Sequence, residues 1–193
     1  MGGTFDPVHR GHLIVADLVR SRLELETVVF VPSHCPPHKS PAEITPAEQR
    51  YAMVLLAIST TPYFTCLRIE MERACPTYAG DTIEALKNLY GPDWELYFIT
   101  GLDALPAIVN QEQSRTYPGQ CRFVAATRPG YDKKIIETRI PVAFKPHVMI
   151  VEEPALAVSS TEIRQRVKEH LPIKHLVPDA VRDYIYANGL YRQ

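Results

Sequence analysis

The chain has no stretch of 18 or more apolar residues, which excludes a helix able to cross a bilayer. It has no excess of positive charge: 21 Lys and Arg stand against 22 Asp and Glu, a net charge of -1. A nonspecific nucleic-acid binder or a protein held on anionic lipid uses a broad basic field, so both classes are excluded and any anion must be met by local groups. The N-terminus lacks a basic segment followed by an apolar one, so the expectation is a chain without an export signal, working in the cytoplasm. Four cysteines, Cys35, Cys66, Cys75 and Cys121, form no CxxC pair, and the reading is of reduced thiols without a disulfide framework. One tryptophan and nine glycines are few, whereas 17 prolines are many, and the prolines punctuate element boundaries.

What is present fits one domain over residues 1–193, long enough to bury a core unaided. Short β-branched and aromatic runs at 27–31, 63–69, 94–100, 121–127 and 147–151 read as strands, with Trp94 at the start of the third. Helical spacing at 12–23, 46–59, 81–90, 161–171 and 179–188 alternates with them. Thr45, Asp81 and Ser159 each precede a Glu by three residues as capping boxes do, and Gly91 and Gly189 stand where left-handed C-caps belong. Near-continuous apolar strands separated by helices predict an α/β fold with a doubly wound parallel sheet and a small C-terminal helical part. Ligands of such a sheet sit beyond the carboxyl ends of its strands.

The most informative stretch is the opening MGGTFDPVHRGHL. Glycines let backbone approach an anion, a helix N-terminus offers free N–H groups, and His9 and His12 fall on one side of its first turn. That is a device for handling phosphate. A second one lies at VSSTEIR, 158–164, where Ser159, Ser160 and Thr161 open a helix and Arg164 follows one turn inside. His34, Cys35 and His38 suggest a metal cluster, but HCPPH has no second ligand pair, so no metal ligand is assigned.

GTFDPVHRGH together with SSTEIR resembles the signature of the nucleotidyltransferase superfamily, which implies a Rossmann-like fold. PSHCPPHKS, PTYAGDT, LYFITGLDAL, TRPGY and LVPDAVRDYIYANGLY extend the resemblance over nearly the whole chain to the bacterial nicotinate-nucleotide adenylyltransferases. It implies joining of nicotinate mononucleotide to ATP, with Mg²⁺ carried by the ATP phosphates, to give nicotinate adenine dinucleotide and pyrophosphate in NAD biosynthesis. His9, His12 and Arg164 would be catalytic. Gly2, Gly3, Thr4, Phe5, Gly11, Gly101, Asp103, Arg128, Ser159, Ser160 and Thr161 would hold ATP, and Lys39, Tyr78 and Ala79 the acceptor. Small molecules would be its partners, not nucleic acid or membrane.

Three departures stand out. Gln111 occupies the position nearest to an expected aromatic platform, Ala79 replaces a threonine, and the apolar first strand before the GGTFDP turn is missing or truncated. The opening motif is also that of phosphopantetheine adenylyltransferases, and a catalytically weak nucleotide-binding relative would carry it too; the PPHK and TYAGDT loops favour the nicotinate enzyme. The preference between nicotinate and nicotinamide mononucleotide stays open, as does the oligomeric state.

Overall fold

In the computed structural model, the residues described are 1–36, 40, 43–110, 114, 117, 119–127, 138–152 and 158–192. Among the described residues, six parallel strands alternate with helices in the order β1 (Gly2–Gly3), α1 (Arg10–Arg22), β2 (Val28–Pro32), α2 (Ala47–Ile58), β3 (Phe64–Cys66), α3 (Ala79–Tyr90), β4 (Tyr97–Gly101), α4 (Leu105–Val109), β5 (Arg122–Thr127) and β6 (Val148–Glu152). Helices α5 (Ser160–Lys168) and α6 (Asp179–Ala187) close the chain. Two three-stranded sheets result, β1-β2-β3 and β4-β5-β6. They meet where β1 lies against β4: a Cβ added to Gly2 would stand 2.8 Å from the Phe98 ring. Across that junction the order reads β3-β2-β1-β4-β5-β6, that of a doubly wound dinucleotide fold, with its topological switch between β1 and β4.

Gly2–Gly3 thus hold the place of the first strand with only two residues, registered on Val31 and Pro32 of β2. Beside them a cavity of about 370 Å³ separates β2 from β4, bordered by Val28, Val29 and Val31 on one side and Tyr97, Phe98 and Ile99 on the other. The Met1 ammonium reaches into this region and donates to the Val29 carbonyl at 2.6 Å. Burial lowers its pKa from 8.0 to about 5.

One apolar cluster spans both sheets, since Val28 and Phe30 of β2 share it with Ile99, Val124 and Val151. Helix α2 follows from apolar residues at helical spacing, with Met53, Val54, Ala57 and Ile58 buried. Met53, Val54 and Ile58 each contribute roughly 1.5–3 kcal/mol when withdrawn from water. Ser159 is the expected N-cap of α5, and Gly91 and Gly189 adopt positive φ.

Several expectations need correction. Trp94 does not begin a strand: Gly91 and the following Pro92 turn the chain, Trp94 stays 41% exposed against the Tyr90 ring, and β4 starts at Tyr97. Asp81 lies inside α3, whose N-cap is Tyr78, and Pro46 rather than Thr45 caps α2. Cys35 and Cys75 are not separate thiols. They form a disulfide across 40 residues because parallel β2 and β3 deliver their following loops to the same end of the sheet, a proximity invisible to a search for local CxxC spacing. Cys66 and Cys121 remain free and buried, and burial pushes both thiols up to about 12.

Candidate active site

The turn after β1 is shaped by two residues. Phe5 adopts a left-handed φ of 51°, and its ring folds back under Gly3, where a Cβ would stand 3.1 Å away. The same ring meets the His12 imidazole edge-on at 5.0 Å. His9, the N-cap residue of α1, donates its backbone N–H to His12 Nδ1 at 3.2 Å, and the two imidazoles stack at 3.7 Å. Because Nδ1 accepts, the His12 proton belongs on Nε2, which makes that atom a donor. A Cβ on Gly11 would stand 3.0 Å from both His9 Nδ1 and Val158, so glycine leaves room where the two motifs close.

Helix α5 brings the second motif to this turn. Ser159 Oγ accepts from the Glu162 N–H at 3.1 Å, Ser160 Oγ donates to the Pro7 carbonyl at 2.9 Å, and Arg164 donates to the Asp6 carbonyl at 2.8 Å. Arg164 also donates to Thr161 Oγ1 at 3.4 Å.

A cavity of about 410 Å³ opens where these groups converge, at the carboxyl ends of β1 and β4. Gly2, Gly3, Thr4, Phe5, His9, Gly11 and His12 line one wall. Ser159, Ser160, Thr161 and Arg164 line another, and Gly101 and Asp103 come from the end of β4. Asp103 Oδ1 accepts from the Ala104 N–H at 3.1 Å, and a Cβ on Gly101 would clash with it at 2.5 Å. Imidazoles, hydroxyls, one guanidinium and two helix N-termini make the lining rich in donors, as an anion site requires.

The remaining sequence-derived residues fall elsewhere. Tyr78 precedes α3 and Ala79 opens it; neither lines this cavity. Lys39, Gln111, Arg128 and His38 lie outside the described residues. Among the described residues, three His, Cys or carboxylate side chains close enough to share an ion occur at His34, Cys35 and Cys75, away from the cavity lining. The donor set of the cavity therefore suits Mg²⁺ held by phosphates and water rather than by a protein cage.

Sequence reasoning missed the network beneath the turn. Arg50 is 1% exposed and donates to the carbonyls of Thr4 at 2.7 Å, Thr45 at 2.8 Å and His34 at 3.2 Å. Burial lowers its pKa, and the Asp6 carboxylate opposes that shift. Asp6 is itself buried, accepting from the Tyr191 hydroxyl at 2.7 Å and the Thr45 N–H at 3.2 Å. Burial, reinforced by Asp6, holds the Tyr191 hydroxyl neutral far above its ordinary range. The signal was present for Arg50: in QRYAMVLLAI it occupies an apolar-face position with Met53, Val54 and Ala57, where a cation calls for buried partners.

Comparison with known proteins gives a consistent result. The profile of the cytidylyltransferase-like family matches residues 1–166. A Moorella thermoacetica protein named "Probable nicotinate-nucleotide adenylyltransferase" is 47% identical, over 100% of this chain and 90% of its own length. One of the same name from a Thermoanaerobacter species is 43% identical, over 100% and 93%. Among solved structures, Plasmodium falciparum nicotinic acid mononucleotide adenylyltransferase complexed with NaAD superposes with a TM-score of 0.76 at 22% identity, covering 98% of this chain and 94% of that one. At that identity the likeness establishes the fold.

Proposed function

The chain belongs to the cytidylyltransferase-like family, as a nicotinate-nucleotide adenylyltransferase, and from that premise we propose how its residues carry the reaction. Nicotinate mononucleotide and ATP give nicotinate adenine dinucleotide and pyrophosphate, a step of NAD biosynthesis. The acceptor's 5′-phosphate oxygen attacks the α-phosphorus in line, and pyrophosphate leaves. Since that nucleophile is already anionic, catalysis rests on positioning and on stabilising charge as it grows, with no side-chain base. Mg²⁺ carried by the ATP phosphates would supply further positive charge there.

His9 and His12 donate to the reacting phosphate, and Arg164 with the hydroxyls of α5 takes the β and γ phosphates. The Thr4–Phe5 turn with Gly2, Gly3 and Gly11 admits the nucleotide backbone, Asp103 beside Gly101 holds the ribose, and Arg128 covers the adenine side. Lys39 receives the acceptor phosphate, while Tyr78 and the Ala79 N–H face the nicotinate. The whole chain works as one domain in the cytoplasm. The observation that supports this assignment best is the convergence of His9, His12 and Arg164 on one cavity from motifs about 150 residues apart.

The test is pyrophosphate release from Mg-ATP with nicotinate mononucleotide, nicotinamide mononucleotide and phosphopantetheine offered in turn. Release with nicotinate mononucleotide and not with phosphopantetheine supports the assignment. Release with phosphopantetheine alone, or ATP binding without release, overturns it.

A further inference from the structure

We propose that, with its Cys35–Cys75 bond reduced, the chain binds one thiophilic divalent cation, of which Zn²⁺ is the type, through His34, Cys35 and Cys75. The sequence alone offers no second ligand pair for His34 and Cys35. The fold supplies the missing ligand from 40 residues away, bringing one ring nitrogen and two sulfurs within 4.8 Å of one another. A tetrahedral zinc at about 2.3 Å from each sulfur sets them about 3.8 Å apart, a separation that side-chain rotation reaches from a Cα–Cα distance of 5.4 Å.

Two sets of hydrogen bonds hold the ligand residues in addition to the bond between the sulfurs. The Thr77 N–H donates to the Cys35 carbonyl at 3.1 Å, and the Cys35 N–H donates to Thr77 Oγ1 at 3.4 Å, so Thr77 registers the two loops through both its main chain and its hydroxyl. His34 is fixed at both ends: its carbonyl accepts from Arg50, and its Nδ1 lies 3.2 Å from the Arg73 carbonyl. A backbone carbonyl on one ring nitrogen fixes the tautomer and leaves the other lone pair to a metal, the outer-shell arrangement of ligating histidines. Cys75 is exposed, which gives an ion access, and the fourth position falls to water.

Loading proceeds by balanced steps. A dithiol reductant gives two electrons and two protons to the disulfide and leaves as its own cyclic disulfide; the cation then displaces the two thiol protons as it binds the sulfurs. Disulfide and metal site are thus alternative states of the same three residues. Cys66 and Cys121 do not compete, being buried thiols with pKa values pushed up to about 12.

The test uses the full chain, reduced with a dithiol and freed of it without exposure to air, then titrated with Co²⁺ as spectroscopic probe. One equivalent should produce a sulfur-to-cobalt charge-transfer band and tetrahedral visible bands, and Zn²⁺ should erase both. Cys35→Ser and Cys75→Ser should each abolish the charge-transfer intensity of a two-thiolate site. His34→Ala, which keeps both sulfurs, should weaken Zn²⁺ roughly tenfold or more. The chain reoxidised with a low-molecular-weight disulfide should bind nothing. No cobalt band in the reduced chain, an undiminished band in Cys75→Ser, equal Zn²⁺ affinity in His34→Ala, or equal binding by the oxidised chain would each overturn the proposal. Circular dichroism on every variant separates loss of the site from loss of the fold.

Discussion

The Arg164 guanidinium donates a 2.8 Å hydrogen bond to the main-chain carbonyl of Asp6, joining the GTFDPVHRGH and SSTEIR strings across 158 residues. The carbonyl belongs to the turn that launches His9 and His12, so one arginine both closes the cavity and faces it. Arg164→Ala removes a charge-assisted donor worth about 1.5–3 kcal/mol. The expected outcome is a raised apparent KM for ATP, with a smaller change for nicotinate mononucleotide, in pyrophosphate-release assays. Equal effects on both substrates would place Arg164 in the scaffold alone.

His9 and His12 separate by their surroundings. His9 is 4% exposed and stacked on its partner, whereas His12 presents Nε2 as a donor. His12→Ala should cost about 3 kcal/mol of transition-state stabilisation, read in kcat, and lower the urea midpoint only slightly, by the loss of its bond to the His9 N–H. His9→Ala should lower kcat comparably and the urea midpoint further, because it empties a buried site beside Gly11. A loss of less than about tenfold in kcat for His12→Ala would sink its assigned role.

Tyr191 and Asp6 make the third case. Tyr191→Phe keeps the ring but strips a buried carboxylate of its 2.7 Å donor, at an expected cost of about 1–3 kcal/mol in folding stability, measured by denaturant titration at neutral pH. The raised tyrosine pKa fixes the sign of a second readout. The wild-type chain should lose stability as pH climbs above the unfolded tyrosine value near 10, and the Phe variant should lose less. Parallel curves for the two chains would contradict this.

The two halves of that site differed in legibility. His9, His12, Ser159 and Arg164 were readable because their chemistry sits in short contiguous strings whose helix starts fix the geometry locally. Tyr191–Asp6 and Cys35–Cys75 were not, since only the register of parallel strands and the docking of the C-terminal segment bring such distant residues together. Trp94 shows a different limit: its β propensity was overridden by the turn after Gly91, which leaves the ring on the surface against Tyr90. Arg50 was hidden in plain view, a cation on an apolar helix face that donates, among the described residues, to the main-chain carbonyls of Thr4, Thr45 and His34.

The slot between β2 and β4 yields the last prediction. Two residues of β1 register on β2, the slot beside them measures about 370 Å³, and a terminal amino group is buried where an amide belongs in a sheet. Adding about five alternating Val and Ile residues before Met1 replaces that amino group with an amide and supplies side chains worth roughly 1.5–3 kcal/mol apiece when buried. The pH dependence follows from the lowered amine pKa. A folded value of about 5 against 8.0 means the chain starting at Met1 has its full stability above pH 8 and loses it as pH falls toward 5, because the unfolded state takes up the proton first. The extended chain lacks this buried amine, so its stability should fall less over that interval, and its thermal midpoint at pH 7 should be higher. Scanning calorimetry on both chains at several pH values checks this. Equal midpoints with parallel pH profiles would mean that the slot does not accept a strand.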